Sequence, residues 1–349
     1  MASKGVFTLN SLNRINGVEA RGFFLNGNDI RKAKTDYAEY FESPPFFPNP
    51  LKWVISYFKK LYKVYKLIKW ADVVHWVWDS AFFLQLDLKI VKLLAKPGIV
   101  EWSGSDIRYK EKAIELNPFM QVAYNTGYEY SEIETKEKSL LIQTRFSKLG
   151  FFPLTTPEMN LYINKALFER TYITMHRLNV KQFEVRNELN VKPLVVHAPS
   201  KRVAKGTDYI VSAIQNLKNE LDFDFLLLEN MPRAEALLKM SQCDIFIDQL
   251  MLGSHGISSC EAMSFGKPVI CFIMPAVVNN GLPADCPIVN ATIDTITEEL
   301  KKLLVNRDLR NQIGKKSREY ALRVHDEDLI AEKFVKIYSE VIRVKGNKN

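Results

Sequence analysis

The sequence predicts an α/β protein built from two doubly wound, Rossmann-like domains. Its 349 residues suffice for about two domains at roughly 150 residues each. Apolar strand-like runs alternate with helical stretches along most of the chain, the pattern of parallel sheets with helical crossovers. Hydrophobic residues are 47% and charged residues 25% of the chain, near the average of folded domains, which excludes disorder, collagen and long coiled coil.

The chain opens with a helical pattern over Val6–Asn16, and Gly17 suits the position after a last turn. A doubly wound domain ordinarily opens with a strand and a glycine-rich turn, yet only Met1 to Gly5 precede this helix. Either the first strand is missing from the N-terminal domain or Lys4–Leu9 is itself a short strand. A missing strand leaves an unpaired sheet edge that favours pairing with a partner. Strands are then expected at Arg21–Leu25, Val73–Trp78, Gly98–Trp102 and Phe151–Thr155. In the second half they are expected at Leu194–His197, Phe223–Leu228, Asp244–Asp248 and Pro268–Phe272. The crossover falls at Thr171–Lys192, dividing the chain into domains of residues 1–175 and 176–325. The strong helix pattern of Asp326–Val344 belongs to a C-terminal segment, 326–349, expected to pack back on the first domain.

Lys and Arg exceed Asp and Glu by eight, and the excess is concentrated. No acid occurs from Ser43 to Ala71, a stretch carrying Lys52, Lys59, Lys60, Lys63, Lys66 and Lys69. On a helix, Lys52, Lys59, Lys63 and Lys66 share one side, while Val54, Tyr57, Phe58, Leu61, Tyr65 and Ile68 share the other. Two readings stand: a surface helix with a solvated lysine face, or a helix docking on an anionic membrane, with Trp53, Tyr62 and Trp70 near its polar flank. No nucleic-acid module accompanies the charge, so no nucleic-acid partner is expected. Cys243, Cys260, Cys271 and Cys286 lack Cys-x-x-Cys spacing, and reduced thiols in a cytoplasmic protein are expected. The first ten residues lack a signal-peptide pattern, and no uncharged run is expected to span a membrane.

Two motifs carry chemistry. In Val195–Asp208 a strand enters a loop holding Lys201, Arg202 and Lys205, and a helix opens at Thr207 or Asp208. Backbone N–H groups and cations there suit an anion such as a diphosphate, or form an ordinary basic turn. In Asp248–Ile270 a strand ends in a loop with Gly253 and Gly256, followed by a short helix carrying Glu261 and stopped at Gly266. Such glycines let a ligand approach the backbone, and a carboxylate one turn into a helix can accept both hydroxyls of a ribose. Glu261 can equally favour the helix dipole with no ligand. His176 and His197 stand apart from Cys or acidic clusters at metal spacing, so no metal is expected. His325-Asp326 reads as a helix cap.

The Ala-Pro-Ser loop ending in Lys205-Gly206, the Gly253-x-x-Gly256 step, Glu261-Ala-Met and Gly266-Lys-Pro-Val together resemble the nucleotide-sugar half of GT-B glycosyltransferases of family 4. In the first half, Asp72-Val-Val-His75, Trp102-Ser-Gly-Ser-Asp-Ile-Arg108 and Thr155-Thr-Pro-Glu158 resemble strand ends that face the family's cleft. The resemblance implies two Rossmann-like domains facing that cleft, with retaining, metal-independent, hexosyltransferase-type transfer and no cofactor beyond a UDP- or GDP-type sugar donor. It further implies that Lys205 and Arg202 act on the diphosphate, with Ser200 and Lys201 beside it, and that Glu261 holds the ribose. Gly253, Ser254, His255, Gly256 and Ile257 would surround phosphates and sugar, while His75, Ser103 and Asp106 would line the acceptor side. Three departures stand out. Gly253 occupies the place of the family's first glutamate, Ser200 the place of its usual arginine, and one strand–helix unit replaces two between the Thr207 helix and the Asp244 strand.

The expected function is sugar transfer from a nucleotide sugar to a glycan or lipid-linked acceptor, in surface polysaccharide or glycolipid biosynthesis on the inner face of the cell membrane. The alternatives are a noncatalytic glycosyltransferase-like scaffold subunit and a GT-B nucleotide-sugar epimerase.

Overall fold

The computed structural model describes residues 2–25, 35–41, 47–186 and 190–346. Eleven strands lie among them, all paired in parallel: β1 Gly22–Leu25, β2 Ala38–Phe41, β3 Val74–Val77, β4 Gly98–Trp102, β5 Phe152–Thr155, β6 Tyr172–Ile173, β7 Leu194–His197, β8 Asp224–Leu227, β9 Ile245–Ile247, β10 Val269–Cys271 and β11 Val289–Asn290. Eight coincide with sequence-expected strands to within a residue at either end. The two-residue strands β6 and β11, and β2 with its Ala-Glu-Tyr-Phe sequence, carry too little periodicity to be read in advance.

The second domain is a five-stranded sheet in the order β11-β10-β9-β7-β8. The direction of winding reverses between β9 and β7, and open α/β sheets place ligands at such a switch point, beyond the carboxyl ends of the strands. The first domain holds a four-stranded sheet, β3-β4-β5-β6, with β1 and β2 forming a separate pair. Strand β4 is buried along its whole length, as expected for a strand covered on both faces; Glu101 is the one charge within it.

Helix α1 spans Ala2–Leu12, which corrects the alternative reading of Lys4–Leu9 as a short strand and the helix end expected at Asn16. Lys4–Leu9 is helical, and the helix ends before Asn16 because Asn13 turns back, its side-chain amide donating to the carbonyls of Leu9 (2.8 Å) and Ala20 (2.9 Å). The Glu327–Gly346 helix packs on α1 and β4.

Helix α2, Pro50–Trp70, requires a second correction. Its buried residues are Lys60, Val64 and Ile68, with Tyr57 and Leu61 packed against the core. Val54 and Phe58, expected inside, are exposed at 38% and 59%. The helix docks along the 57–61–64–68 line, so the apolar face read from the sequence is split between core and solvent. Leu51, Ile55, Phe58 and Tyr62 form an outward apolar stripe alongside the exposed Lys52, Lys59, Lys63 and Lys66.

Candidate functional site at the domain seam

The loops after β7 and β9 meet at the switch point. Leu250 N–H donates to Lys205 C=O at 3.1 Å, and the Lys205 ammonium bonds Asp248 Oδ1. Asp248 Oδ2 accepts from Gly256 N–H (3.0 Å) and Ser259 Oγ (2.6 Å). Burial alone would raise the Asp248 pKa, but Lys205 and these donors outweigh it and hold the carboxyl below its usual value. Asp248 therefore fixes both the cation and the glycine loop. Sequence reading gave it no role, although it closes the strand whose loop carries both glycines.

A Cβ on Gly256 would lie 3.4 Å from Asp248 Oδ2 and 3.6 Å from Lys205 Nζ, in ordinary contact with both, so the ion pair sits directly against this stretch of backbone. The Gly256 N–H itself is taken by Asp248. Gly253 has φ +76°, and a Cβ there would meet Met274 Sδ at 3.0 Å and Asn117 Nδ2 at 3.2 Å. A glutamate at this position would strain both the backbone and the seam; this accounts physically for the departure noted above. Ser254 and His255 are buried, and Ile257 opens the Ile257–Ser264 helix.

Glu261, buried within that helix, accepts from the Arg233 guanidinium, with Nε at 3.1 Å. Arg233 begins the helix that follows β8 and was not foreseen, because only three-dimensional proximity links it to Glu261. Arg202 points outward to Glu229 at 2.7 Å and to Asp208. Ser200 and Lys201 are exposed.

On the facing domain, Asp106 spends its carboxylate on its own turn, accepting from the N–H groups of Ser103 (2.8 Å), Gly104 (2.7 Å) and Ile107 (3.2 Å). Ser103 Oγ accepts from Lys4 Nζ at 3.2 Å. His75 Nδ1 meets Tyr338 Oη at 2.8 Å, and its Nε2 lies 3.3 Å from Glu101. Glu101 receives both terminal nitrogens of Arg177, at 2.9 and 2.7 Å, and Arg177 Nε donates to Thr8 Oγ1. Burial would raise the Glu101 pKa, but Arg177 and its other donors keep it well below the carboxylate norm. Arg177, Thr8 and Glu101 come from three distant segments, so sequence reading missed the cluster. A second buried ion pair, Arg108 with Glu158 at 2.6 Å and Glu134 at 3.1 Å, ties the strand-end segments Trp102–Arg108 and Thr155–Glu158 together.

Polar contacts stitch the two domains. Asn117 Nδ2 donates to Met251 C=O at 2.6 Å, and Asn160 Nδ2 to Asn280 Oδ1 at 3.2 Å. Glu129, from the first domain, accepts from the N–H groups of Val203 (2.9 Å) and Ala204 (3.0 Å). The turn read as an anion cradle thus already holds a carboxylate.

His176, His255 and His325 are brought together, contrary to the isolation read for His176. The His255 ring lies 5.7 Å from that of His176 and 5.4 Å from that of His325. Among the described residues, His255, Cys260 and His325 place ligand atoms within 4.8 Å of one another, all buried, a donor set suited to a borderline-soft divalent ion. Burial lowers all three imidazole pKa values, those of His255 and His325 to about 4 and about 3.

Residues 187–320 match the family model described as glycosyl transferases group 1. A search of curated protein sequences gives no match. Among solved structures, the chain resembles sucrose-phosphate synthase from Thermosynechococcus elongatus, with TM-score 0.63, 13% identity, and 97% of this chain and 92% of that one covered. It likewise resembles a glycosyltransferase from Rickettsia africae, at TM-score 0.63 and 13% identity over 97% and 94% of the two chains. Anabaena HepE in complex with UDP and glucose aligns at TM-score 0.51 and 14% identity over 97% and 96%. The chain has the GT-B fold, two Rossmann-like domains of which the second carries the match to glycosyl transferases group 1.

Proposed function

We propose that this chain is a glycosyltransferase moving a hexose-type sugar from a UDP- or GDP-type donor to an acceptor hydroxyl, with retention and without a metal. One observation carries the reading. Lys205, the Gly253–Gly256 loop and Glu261 converge at the carboxyl ends of β7 and β9, within the segment that matches glycosyl transferases group 1. A diphosphate lying over Gly256 meets the Lys205 ammonium, and Glu261, steadied by Arg233, accepts the ribose hydroxyls. Retention follows if a donor phosphate oxygen takes the acceptor proton on the face from which the diphosphate leaves. The anomeric carbon then loses one C–O bond and gains another on that face, cations stabilise the departing charge, and no protein nucleophile is used. A calorimetric titration with UDP, GDP, ADP and their sugar conjugates tests the reading. One nucleotide should bind selectively, and Glu261→Ala should weaken it at least 100-fold; unchanged affinity would remove the site assignment.

The outward stripe of α2 supports a lipid-linked acceptor at an anionic membrane surface, in polysaccharide or glycolipid assembly. Apolar Leu51, Ile55, Phe58 and Tyr62 flanked by lysines, with no acid anywhere in the helix, suit partial burial in the headgroup region. No described helix is long and apolar enough to cross a membrane.

A noncatalytic scaffold is the second reading. It is favoured by the partners that Lys205 and Glu261 already hold and by the glycine at position 253. Donor turnover separates the two: a scaffold neither transfers nor hydrolyses the sugar.

A further inference from the structure

The buried imidazoles of the second domain differ in how their nitrogens are used. His197 has both occupied: Nδ1 meets Ile247 C=O at 2.8 Å and Nε2 meets Thr207 Oγ1 at 3.0 Å. His325 is just as inaccessible, yet only its Nδ1 has a partner, donating to His176 C=O at 2.8 Å. Its Nε2 is buried with none among the described residues, and the same holds for both ring nitrogens of His255. Buried polar atoms left unpaired are costly and rare in folded proteins, and an ion is one of the few things that accounts for them.

These two histidines meet a thiol. A ring nitrogen of His255, a ring nitrogen of His325 and the Cys260 Sγ lie within 4.8 Å of one another, on side chains exposed at 6%, 0% and 0% respectively. The Cys260 thiol has only a weak partner, Gly256 C=O at 3.4 Å. Bonds of about 2.1 Å to nitrogen and 2.3 Å to sulfur put donors ~3.4–3.6 Å apart on a tetrahedral ion, so the side chains need to close by at most ~1.4 Å. His325 already has the tautomer of a metal ligand, because its Nδ1–H is committed to a carbonyl and Nε2 keeps the lone pair. His176 braces the set from outside, supplying that carbonyl and donating from Nε2 to His255 C=O at 3.2 Å.

We propose that His255, Cys260 and His325 bind one Zn²⁺ ion, with a water molecule in the fourth tetrahedral position. Two imidazoles and a thiolate select a borderline-soft ion over Mg²⁺, Ca²⁺ or Mn²⁺, which prefer oxygen. On binding, the Cys260 thiol gives its proton to solvent and the thiolate takes up one of the ion's two charges. The ligands come from three places: the glycine loop after β9, the Ile257–Ser264 helix, and the junction between the Arg307–Val324 and Glu327–Gly346 helices. That junction is tied to the interdomain crossover, since Leu178 N–H donates to His325 C=O at 3.1 Å and Glu327 N–H to Leu178 C=O at 3.0 Å. The ion therefore fastens the Gly253–Gly256 loop to the segments through which the chain passes between domains. Spacing along the sequence conceals the site, because His325 lies far from the other two ligands. The inference is independent of the sugar-transfer reading, in which no metal touches the reacting atoms.

The test uses the full chain with its thiols reduced, stripped by a chelator and free of nucleotide. One equivalent of Zn²⁺ should bind in the presence of excess Mg²⁺, and at about a hundredfold excess over its Kd it should raise the melting temperature by ~5 °C. Co²⁺ in its place should show the near-ultraviolet charge-transfer band of a cobalt–thiolate bond. Cys260→Ala should remove that band and weaken Zn²⁺ binding at least ~100-fold, and His325→Gln should weaken it similarly. Cys243→Ala, at a buried thiol outside the set, should change neither. Melting of each metal-free variant shows whether it folds, and if the ligand variants do not, the Co²⁺ spectrum of the unaltered chain decides alone. Zn²⁺ binding weaker than about 10 μM, a Co²⁺ complex without the thiolate band, or full Zn²⁺ affinity in folded Cys260→Ala and His325→Gln would each overturn the proposal.

Discussion

Replacing Glu129 with alanine should tighten binding of the nucleotide diphosphate. The Glu129 carboxylate reaches across the seam to two backbone N–H groups, at 2.9 and 3.0 Å, in the turn that leads to Lys205. A hydrogen bond to a charged acceptor contributes about 1.5–3 kcal/mol where water is excluded. Glu129 is exposed, so the pair is discounted to a combined ~1–2 kcal/mol. A donor phosphate can use those N–H groups only after displacing the carboxylate, so its apparent affinity is reduced by the fraction of molecules in which the turn is free. Removing the competitor restores about 5- to 30-fold, together with the relief of one negative charge near the diphosphate. The same substitution takes a cross-domain contact from the unliganded protein, so its melting temperature should fall by a few degrees while affinity rises. Calorimetry with the nucleotide selected above, paired with thermal melting of the free protein, reads both quantities. Unchanged or weaker binding by Glu129→Ala would refute the reasoning, because the turn would then take no part in holding the anion.

Three further outcomes follow from the buried charges and the exposed stripe. Arg177→Met alone should cost about 3–5 kcal/mol by leaving Glu101 buried without its bidentate partner, and Arg177→Met with Glu101→Gln should recover most of the loss; additive losses in a melting cycle would contradict this. His255 and His325 titrate near 6.5 when unfolded and are held at about 4 and about 3 when folded, so the native state binds fewer protons. Stability is full above pH 6.5 and falls as the pH drops toward 4, by roughly 1.4 kcal/mol per unit for each histidine. His255→Phe should flatten that slope in melts recorded from pH 7 to 5, and an unaltered slope would exclude His255 as a contributor. Ile55→Ser with Phe58→Ser, and separately Lys59→Glu with Lys63→Glu, should each reduce partition onto anionic liposomes at least 10-fold; an unaffected partition would return α2 to an ordinary surface helix.

Where sequence and structure part, the reason is packing. The periodicity of Leu51–Trp70 is strong enough to show a helix, but its apolar positions cover more than half of the circumference. Which of them face inward is decided by the surface that α2 meets, and that surface is assembled from residues far along the chain. The strand ends and glycine loops of the second domain were legible because each motif is contiguous: strand, turn residues and helix start follow within about twenty positions. The side chains that complete the site are not contiguous with it. Arg233 reaches Glu261 from another strand–helix unit, Glu129 reaches the Lys205 turn from another domain, and Arg177 reaches Glu101 from the interdomain crossover.

Those distant partners share one physical consequence. Three of the charged groups with which the sequence would hold a donor are paired within the protein: Lys205 with Asp248, Glu261 with Arg233, Arg202 with Glu229 and Asp208. A buried charge left without a partner costs several kcal/mol, so a site that must stay folded before its ligand arrives needs internal stand-ins. A further stand-in, Glu129 on the Val203 and Ala204 N–H groups, is the most readily displaced, because it is exposed and its hydrogen bonds among the described residues are to backbone N–H groups across the seam. Asp248 is the least, because it also receives Gly256 and Ser259. On the proposed sugar-transfer function, a diphosphate entering the seam would exchange with Glu129 first and meet Lys205 while Asp248 still fixes the ammonium in place. On that order of events, Asp248→Asn should impair nucleotide binding more than Glu129→Ala improves it, since it removes the group that positions the cation as well as its counter-charge.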